Sequence, residues 1–167
     1  VDPIIFDAHT AMLSSARLLV VALAALACVA HPVAASNAKG EAFLEENAKK
    51  DGVITLASGL QYKVIKSSTK EGALTPRANS PCTCHYAGTL IDGTEFDSSI
   101  RRNRPSTFAP NQVIKGWTEA MQLMKEGDEW ELYIPSELGY GNSNRGQYIR
   151  AGDVLIFTLN LIKVNNG

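Results

Sequence analysis

Phe96 and Asp97 lie side by side in Gly93-Thr94-Glu95-Phe96-Asp97-Ser98-Ser99, and Trp117 closely follows the β-branched pair in Val113-Ile114-Lys115-Gly116-Trp117. His85-Tyr86-Ala87-Gly88 upstream and Leu138-Gly139-Tyr140-Gly141 downstream each add a tyrosine. The set is aromatic and holds a single acid. It contains no nucleophile–base pair. Neither His31 nor His85 accompanies a nucleophile motif, and His9 lies in an amino-terminal segment set apart below, so a hydrolase reading fails. What remains suits a reaction that needs an apolar slot and a few hydrogen bonds, with no covalent step.

These residues need a scaffold, and the hydrophobic pattern supplies one. Residues 36–50 read as a short helix, polar except for Ala42, Phe43 and Leu44, and Asp51-Gly52 stops it. Too short to be stable alone, it is expected to pack on the domain or on a partner. Residues 53–56 are a short extended piece. In 60–65 Leu60, Tyr62 and Val64 alternate, the period of a strand. Residues 82–90 form a second, longer strand ended by a turn at Asp92-Gly93, and 95–98 a short one. Residues 101–105 read as a loop or bulge before Thr107-Phe108 returns to the sheet. Residues 117–124 place Trp117, Ala120, Met121 and Met124 on one face of a helix. Residues 129–135 alternate, with Trp130, Leu132 and Ile134 inward and Glu129, Glu131 and Tyr133 outward. A Gly-rich loop over 136–152 and a last strand over 154–164 complete the chain. Several strands around one internal helix predict an α+β domain, an antiparallel sheet with a helix on one face.

The 167 residues suit one domain with a short extension, and the formal net charge is -1. Leaving out residues 1–35, basic and acidic residues balance at 15 each, which gives no general basic surface for nucleic acid. Arg101, Arg102 and Arg104 form a local cluster, readable as a solvated loop or as steering of an acidic partner. From Met12, Arg17, an apolar run over 18–30, the break at His31-Pro32 and the small residues Val33-Ala34-Ala35 make an export signal cleaved before Ser36. The run of about 13 residues is shorter than the roughly 20 of a membrane span, so no stable anchor is expected in the mature form. Residues 1–11 read as upstream or vector-derived sequence. Cys82 and Cys84 point to one strand face with Tyr86 and stand parallel, which disfavours a bridge between them. Both are expected as buried free thiols, with no metal site.

From about Gly40 onward the chain resembles the FKBP-type peptidyl-prolyl cis-trans isomerases, and more closely their macrophage infectivity potentiator (Mip)-like branch. The resemblance rests on Gly40-Glu41-Ala42-Phe43-Leu44, Ser58-Gly59-Leu60-Gln61-Tyr62-Lys63-Val64-Ile65, Tyr86-Ala87-Gly88-Thr89-Leu90-Ile91-Asp92-Gly93-Thr94 and Gly116-Trp117-Thr118-Glu119-Ala120. It implies a twisted antiparallel sheet half-wrapped around a short helix. The domain order expected is an upstream segment 1–11, a signal 12–35, a helical extension 36–52 and an isomerase domain 53–167. Carried over residue by residue, the family's pocket falls on Tyr86, Phe96, Asp97, Phe108, Val113, Ile114, Trp117, Tyr140, Ile149 and Phe157. Of these, Asp97, Tyr140, Phe96 and Trp117 would take the catalytic roles. Trp117 would be the floor; Tyr86, Phe96, Phe108 and Phe157 the walls; Ile114 would offer its N–H and Tyr140 its hydroxyl. Two departures stand out. Where the family often has a pocket-wall aromatic after the bulge, the matching position here is Ser106. Asn142-Ser143-Asn144-Arg145 replaces more apolar residues in the Gly-rich loop.

The resemblance further implies rotation about X–Pro bonds in exported proteins without a cofactor, binding of the macrolides tacrolimus and rapamycin, and a role in host-cell infection. A domain that holds Pro-containing segments with little turnover is the alternative. Members of the branch often dimerise through a longer amino-terminal extension, and the short one here leads us to expect a monomer.

Overall fold

The structure is a computed structural model that describes residues 36–165. The segment 1–11 and the candidate signal 12–35 lie outside the described residues, apart from which the elements run in the expected order. They are α1 (Ala38–Asn47), β1 (Val53–Thr55), β2 (Gln61–Lys66), β3 (Cys82–Leu90), β4 (Glu95–Ser98), β5 (Ser106–Phe108), α2 (Lys115–Met121), β6 (Glu129–Ile134) and β7 (Leu155–Val164). Single 3₁₀ turns over Pro110–Gln112 and Ser136–Leu138 precede α2 and open the Gly-rich loop.

All seven strands form one antiparallel sheet, ordered β1-β2-β6-β7-β3-β4, with β5 pairing the start of β3. The sheet has one heavily buried face. Leu155, Phe157, Leu159 and Leu161 of β7 alternate onto it, beside Trp130, Leu132 and Ile134 of β6 and Cys82 and Cys84 of β3. Helix α2 covers that face with Trp117, Ala120 and Met121. Burying one such leucine contributes about 1.5–3 kcal/mol, so this helix–sheet layer is the main source of cohesion.

Helix α2 starts two residues before the expected 117 and stops at Met121. The chain then turns through hydrogen bonds from the Leu123 and Met124 N–H groups to the Ala120 carbonyl, 2.9 and 3.1 Å, which keep Met124 fully buried although it lies beyond the helix. The Asp128 carboxylate closes the next turn by accepting from the Lys125 N–H at 2.7 Å.

Helix α1 is also shorter than expected. Asn37 caps it, its side-chain oxygen accepting from the Gly40 N–H at 3.0 Å. It packs on the domain, against the sheet's other face. Phe43 meets Tyr133 of β6 with ring centroids 6.1 Å apart, and Asn47 Nδ2 donates to Gln61 Oε1 of β2 at 3.0 Å. Tyr133, expected outward by alternation, is therefore only 7% exposed. Cys82 and Cys84 are free and buried, and burial pushes their thiols up to about 11 and about 12. Among the described residues no helix is long and apolar enough to cross a membrane.

Candidate active site

Strands β3, β4, β5 and β7 and helix α2 bring the aromatic residues together. Tyr86 stands on β3, where its N–H donates to Ser99 Oγ at 2.8 Å and its carbonyl accepts from the Ser99 N–H at 2.9 Å. Those bonds clamp the end of β4 to β3 and set Asp97 opposite Gly88. Trp117 comes from the first turn of α2. The Thr118 hydroxyl donates to the Pro110 carbonyl at 2.6 Å, holding the preceding 3₁₀ turn against the helix and with it Val113 and Ile114. Phe157 comes from β7, paired directly with Gly88.

The rings meet edge to face. Trp117 lies 5.2 Å from Tyr86, 5.2 Å from Phe108 and 5.1 Å from Phe157, centroid to centroid, and Phe96 lies 5.4 Å from Phe157. Such geometry puts positive ring edges on negative faces and fixes each ring. Gly88 makes it possible. A Cβ there would fall 2.6 Å from Phe157 and 2.7 Å from Phe96, so any other residue would push the two rings apart.

All ten residues named from the resemblance line one cavity of about 560 Å³. Trp117 and Phe157 are almost fully buried beneath it. Gln112, Gly139 and Arg145 line it too, and sequence reasoning did not single them out as site residues. Arg145 had a signal, since it belongs to the divergent loop. Its guanidinium lies 5.1 Å from the centroid of the Tyr140 ring. Ser106 is not part of the lining; Phe108 is the wall residue of β5.

Asp97 is less isolated than a lone acid. The Tyr86 hydroxyl donates to Asp97 Oδ2 at 2.7 Å, Arg102 is paired with Asp97 Oδ1, and Arg102 Nη2 donates to the Tyr86 oxygen at 2.9 Å. Partial burial works to raise the Asp97 carboxyl, but the Tyr86 hydrogen bond and the Arg102 charge outweigh it and hold the group below its ordinary value. Burial, and then the same carboxylate, push the Tyr86 phenol up. Asp97 is therefore an ionised, charge-compensated acceptor next to a neutral phenol. Two of the three clustered arginines are accounted for inside the molecule, because Arg101 also pairs with Glu95 at 3.0 Å.

The Ile114 N–H and the Tyr140 hydroxyl are among the donors at the cavity. Among the described residues neither the Ile114 N–H nor the Tyr140 hydroxyl has a protein acceptor. An aromatic floor, four aromatic walls and hydrogen-bond donors at the rim suit a compact apolar ring carrying carbonyl groups.

The family model described as FKBP-type peptidyl-prolyl cis-trans isomerase matches residues 72–162, more than half of the chain and all of the residues that line the cavity. The chain belongs to this family. A second model, the domain amino-terminal to FKBP-type isomerases, matches 21–64, which takes in α1, β1 and most of β2. The outer membrane protein MIP of Legionella longbeachae is 48% identical to this FKBP chain over 129 residues, 77% of this chain and 54% of that protein. The macrophage infectivity potentiator of Trypanosoma cruzi is 44% identical over 128 residues, covering 77% and 64%. These matches put the chain in the Mip-like branch, although it spans only part of each relative. In three dimensions it resembles the crystal structure of FkpA from Escherichia coli, with a TM-score of 0.71 and 37% identity over 77% of this chain and 58% of that one. The α+β FKBP fold expected from the sequence is the fold observed.

Proposed function

We propose that this FKBP domain accelerates rotation about X–Pro peptide bonds, and that the Trp117-floored cavity is where it does so. The observation that carries the reading is the convergence of Tyr86, Phe96, Phe108, Trp117 and Phe157 on one hollow beside an ionised Asp97. The X–Pro bond resists rotation by ~20 kcal/mol because amide resonance gives it double-bond character. Unassisted it turns over in roughly tens to hundreds of seconds. About 100 turnovers per second would be a gain of about 10⁴, or about 5–6 kcal/mol.

Modest effects reach that figure. The planar amide is polar and water stabilises it, so an aromatic slot that excludes water favours the less polar twisted form. The proline ring rests on Trp117 while the preceding carbonyl swings toward the wall. The Ile114 N–H and the Tyr140 hydroxyl hold the flanking chain in place during the swing. Asp97, fixed by Tyr86 and Arg102, contributes a stationary field next to the rotating bond. No proton is transferred and no bond is broken.

Proline-containing peptides and unfolded chains are the substrates, and tacrolimus and rapamycin are competing occupants. The segment 12–35 serves as an export signal, and the mature protein acts as a monomer outside the cytoplasm. A contribution to host-cell infection follows only by analogy with the Mip relatives. The test is a tetrapeptide isomerisation assay with and without tacrolimus. Activity abolished by the macrolide supports the reading, and a protein that binds the macrolide yet leaves the uncatalysed rate unchanged overturns it.

A further inference from the structure

The cavity's rim is carried by the loop between β6 and β7, which brings Tyr140, Arg145 and Ile149 to the site. Much of its own bonding is local. Arg145 and Ile149 exchange backbone hydrogen bonds of 2.9 and 3.2 Å, the Gly152 N–H donates to the Gly141 carbonyl at 2.9 Å, and the Ala151 N–H to Asn144 Oδ1 at 2.9 Å. Apart from Ile149, which packs into the core, local turns of this kind tie the exposed part of the loop mostly to itself. The start of α1 reaches across and holds it. The Asn37 N–H donates to the Gly152 carbonyl at 2.8 Å, Asn37 Nδ2 donates to Asp153 Oδ1 at 2.9 Å, and the buried Ser36 Oγ accepts from the Ser136 N–H at 3.0 Å. Asp153 Oδ2 in turn accepts from the Arg150 N–H at 2.7 Å, next to Ile149. Gly152 has φ +78°, and a Cβ there would lie 2.9 Å from the Asn37 nitrogen, so the close approach needs glycine.

We propose that Asn37, with Ser36 beside it, is a positioning residue for the substrate pocket: it ties the amino-terminal helix to the rim loop and so fixes Tyr140, Arg145 and Ile149. The proposal rests on the reading of the cavity as the substrate site. Asn37 does two separable things. Its oxygen caps α1 through Gly40, and its Nδ2 holds Asp153. N37D keeps the capping oxygen but sets a carboxylate against Asp153 in place of a donor. D153N in the same chain puts the donor on the other side and restores the bond with its direction reversed.

The experiment compares the wild type, N37D, the N37D/D153N pair and Asn47→Ala by two readouts. One is amide hydrogen exchange at Arg145, Ile149 and Gly152; the other is KM and kcat on a proline tetrapeptide. N37D is expected to speed exchange at those three amides, to leave exchange in β6 and β7 unchanged, and to raise KM by about three- to ten-fold with a smaller change in kcat. The pair is expected to return both readouts toward wild type. Asn47→Ala, which loosens α1 at its other end, is expected to lower Tm without moving the loop amides or KM. Wild-type behaviour of N37D, failure of the pair to restore it, or the same loop effect from Asn47→Ala would each overturn the proposal. An inactive wild type would sink the isomerase reading alone, because the exchange data still decide the tie.

Discussion

Asp97 stays ionised at neutral pH because Tyr86 and Arg102 outweigh its partial burial. Its folded-state value is lowered, so the favourable contribution of this charge is fully present above the ordinary carboxylate range. It is lost only as pH falls through the lowered folded value. Arg102→Ala is expected to move the Asp97 carboxyl upward, read directly by carboxyl-carbon NMR titration; an unchanged midpoint would remove Arg102 from the site. Asp97→Leu is expected to lower kcat/KM about ten-fold or more, because a preorganised charge is lost from the site. An unchanged kcat/KM on a proline tetrapeptide would take the acid out of the mechanism. At Gly88 the constraint is steric. Gly88→Ala inserts a methyl between Phe96 and Phe157 and should cost about 1–3 kcal/mol in denaturant unfolding while weakening macrolide binding.

Among the elements, the two helices have different tasks. Helix α2 is part of the cavity, since Trp117 is its floor, whereas α1 covers the far side of the sheet at Tyr133 and Gln61. Asn47→Ala leaves the buried Gln61 Oε1 without its donor and is expected to lower stability by about 1–3 kcal/mol. Chemical denaturation measures that loss, and a stability equal to wild type would mean that α1 adds nothing to the fold. Which elements would form was legible from hydrophobic period, because strands with one covered face alternate cleanly. Tyr133 broke the pattern for a physical reason: alternation marks the face away from the core as solvent, and a second helix laid over that face cannot be seen from β6 alone. The bounds of α2 shifted for a related reason, since Met124 shares the apolar stripe but reaches the core through a turn.

At the scale of the whole molecule, the ten cavity residues were legible because their order along the chain resembles that of a known family, and the structure brings all ten to one place. Arg102 was not, since an arginine in a run of three reads the same whether solvated or paired. Its role needs the β3–β4 register, which sets Asp97 beside Tyr86. The tie between Asn37 and Asp153 spans 116 positions and leaves no local trace in the sequence. The central claim is that the assembled aromatic hollow itself lowers the barrier to X–Pro rotation. NMR exchange spectroscopy on a Leu-Pro peptide, with the protein at sub-stoichiometric concentration, tests it most directly. Cis–trans exchange cross-peaks are expected to appear with the protein and to vanish when tacrolimus fills the cavity. Exchange that stays at the uncatalysed rate with folded protein present would contradict it.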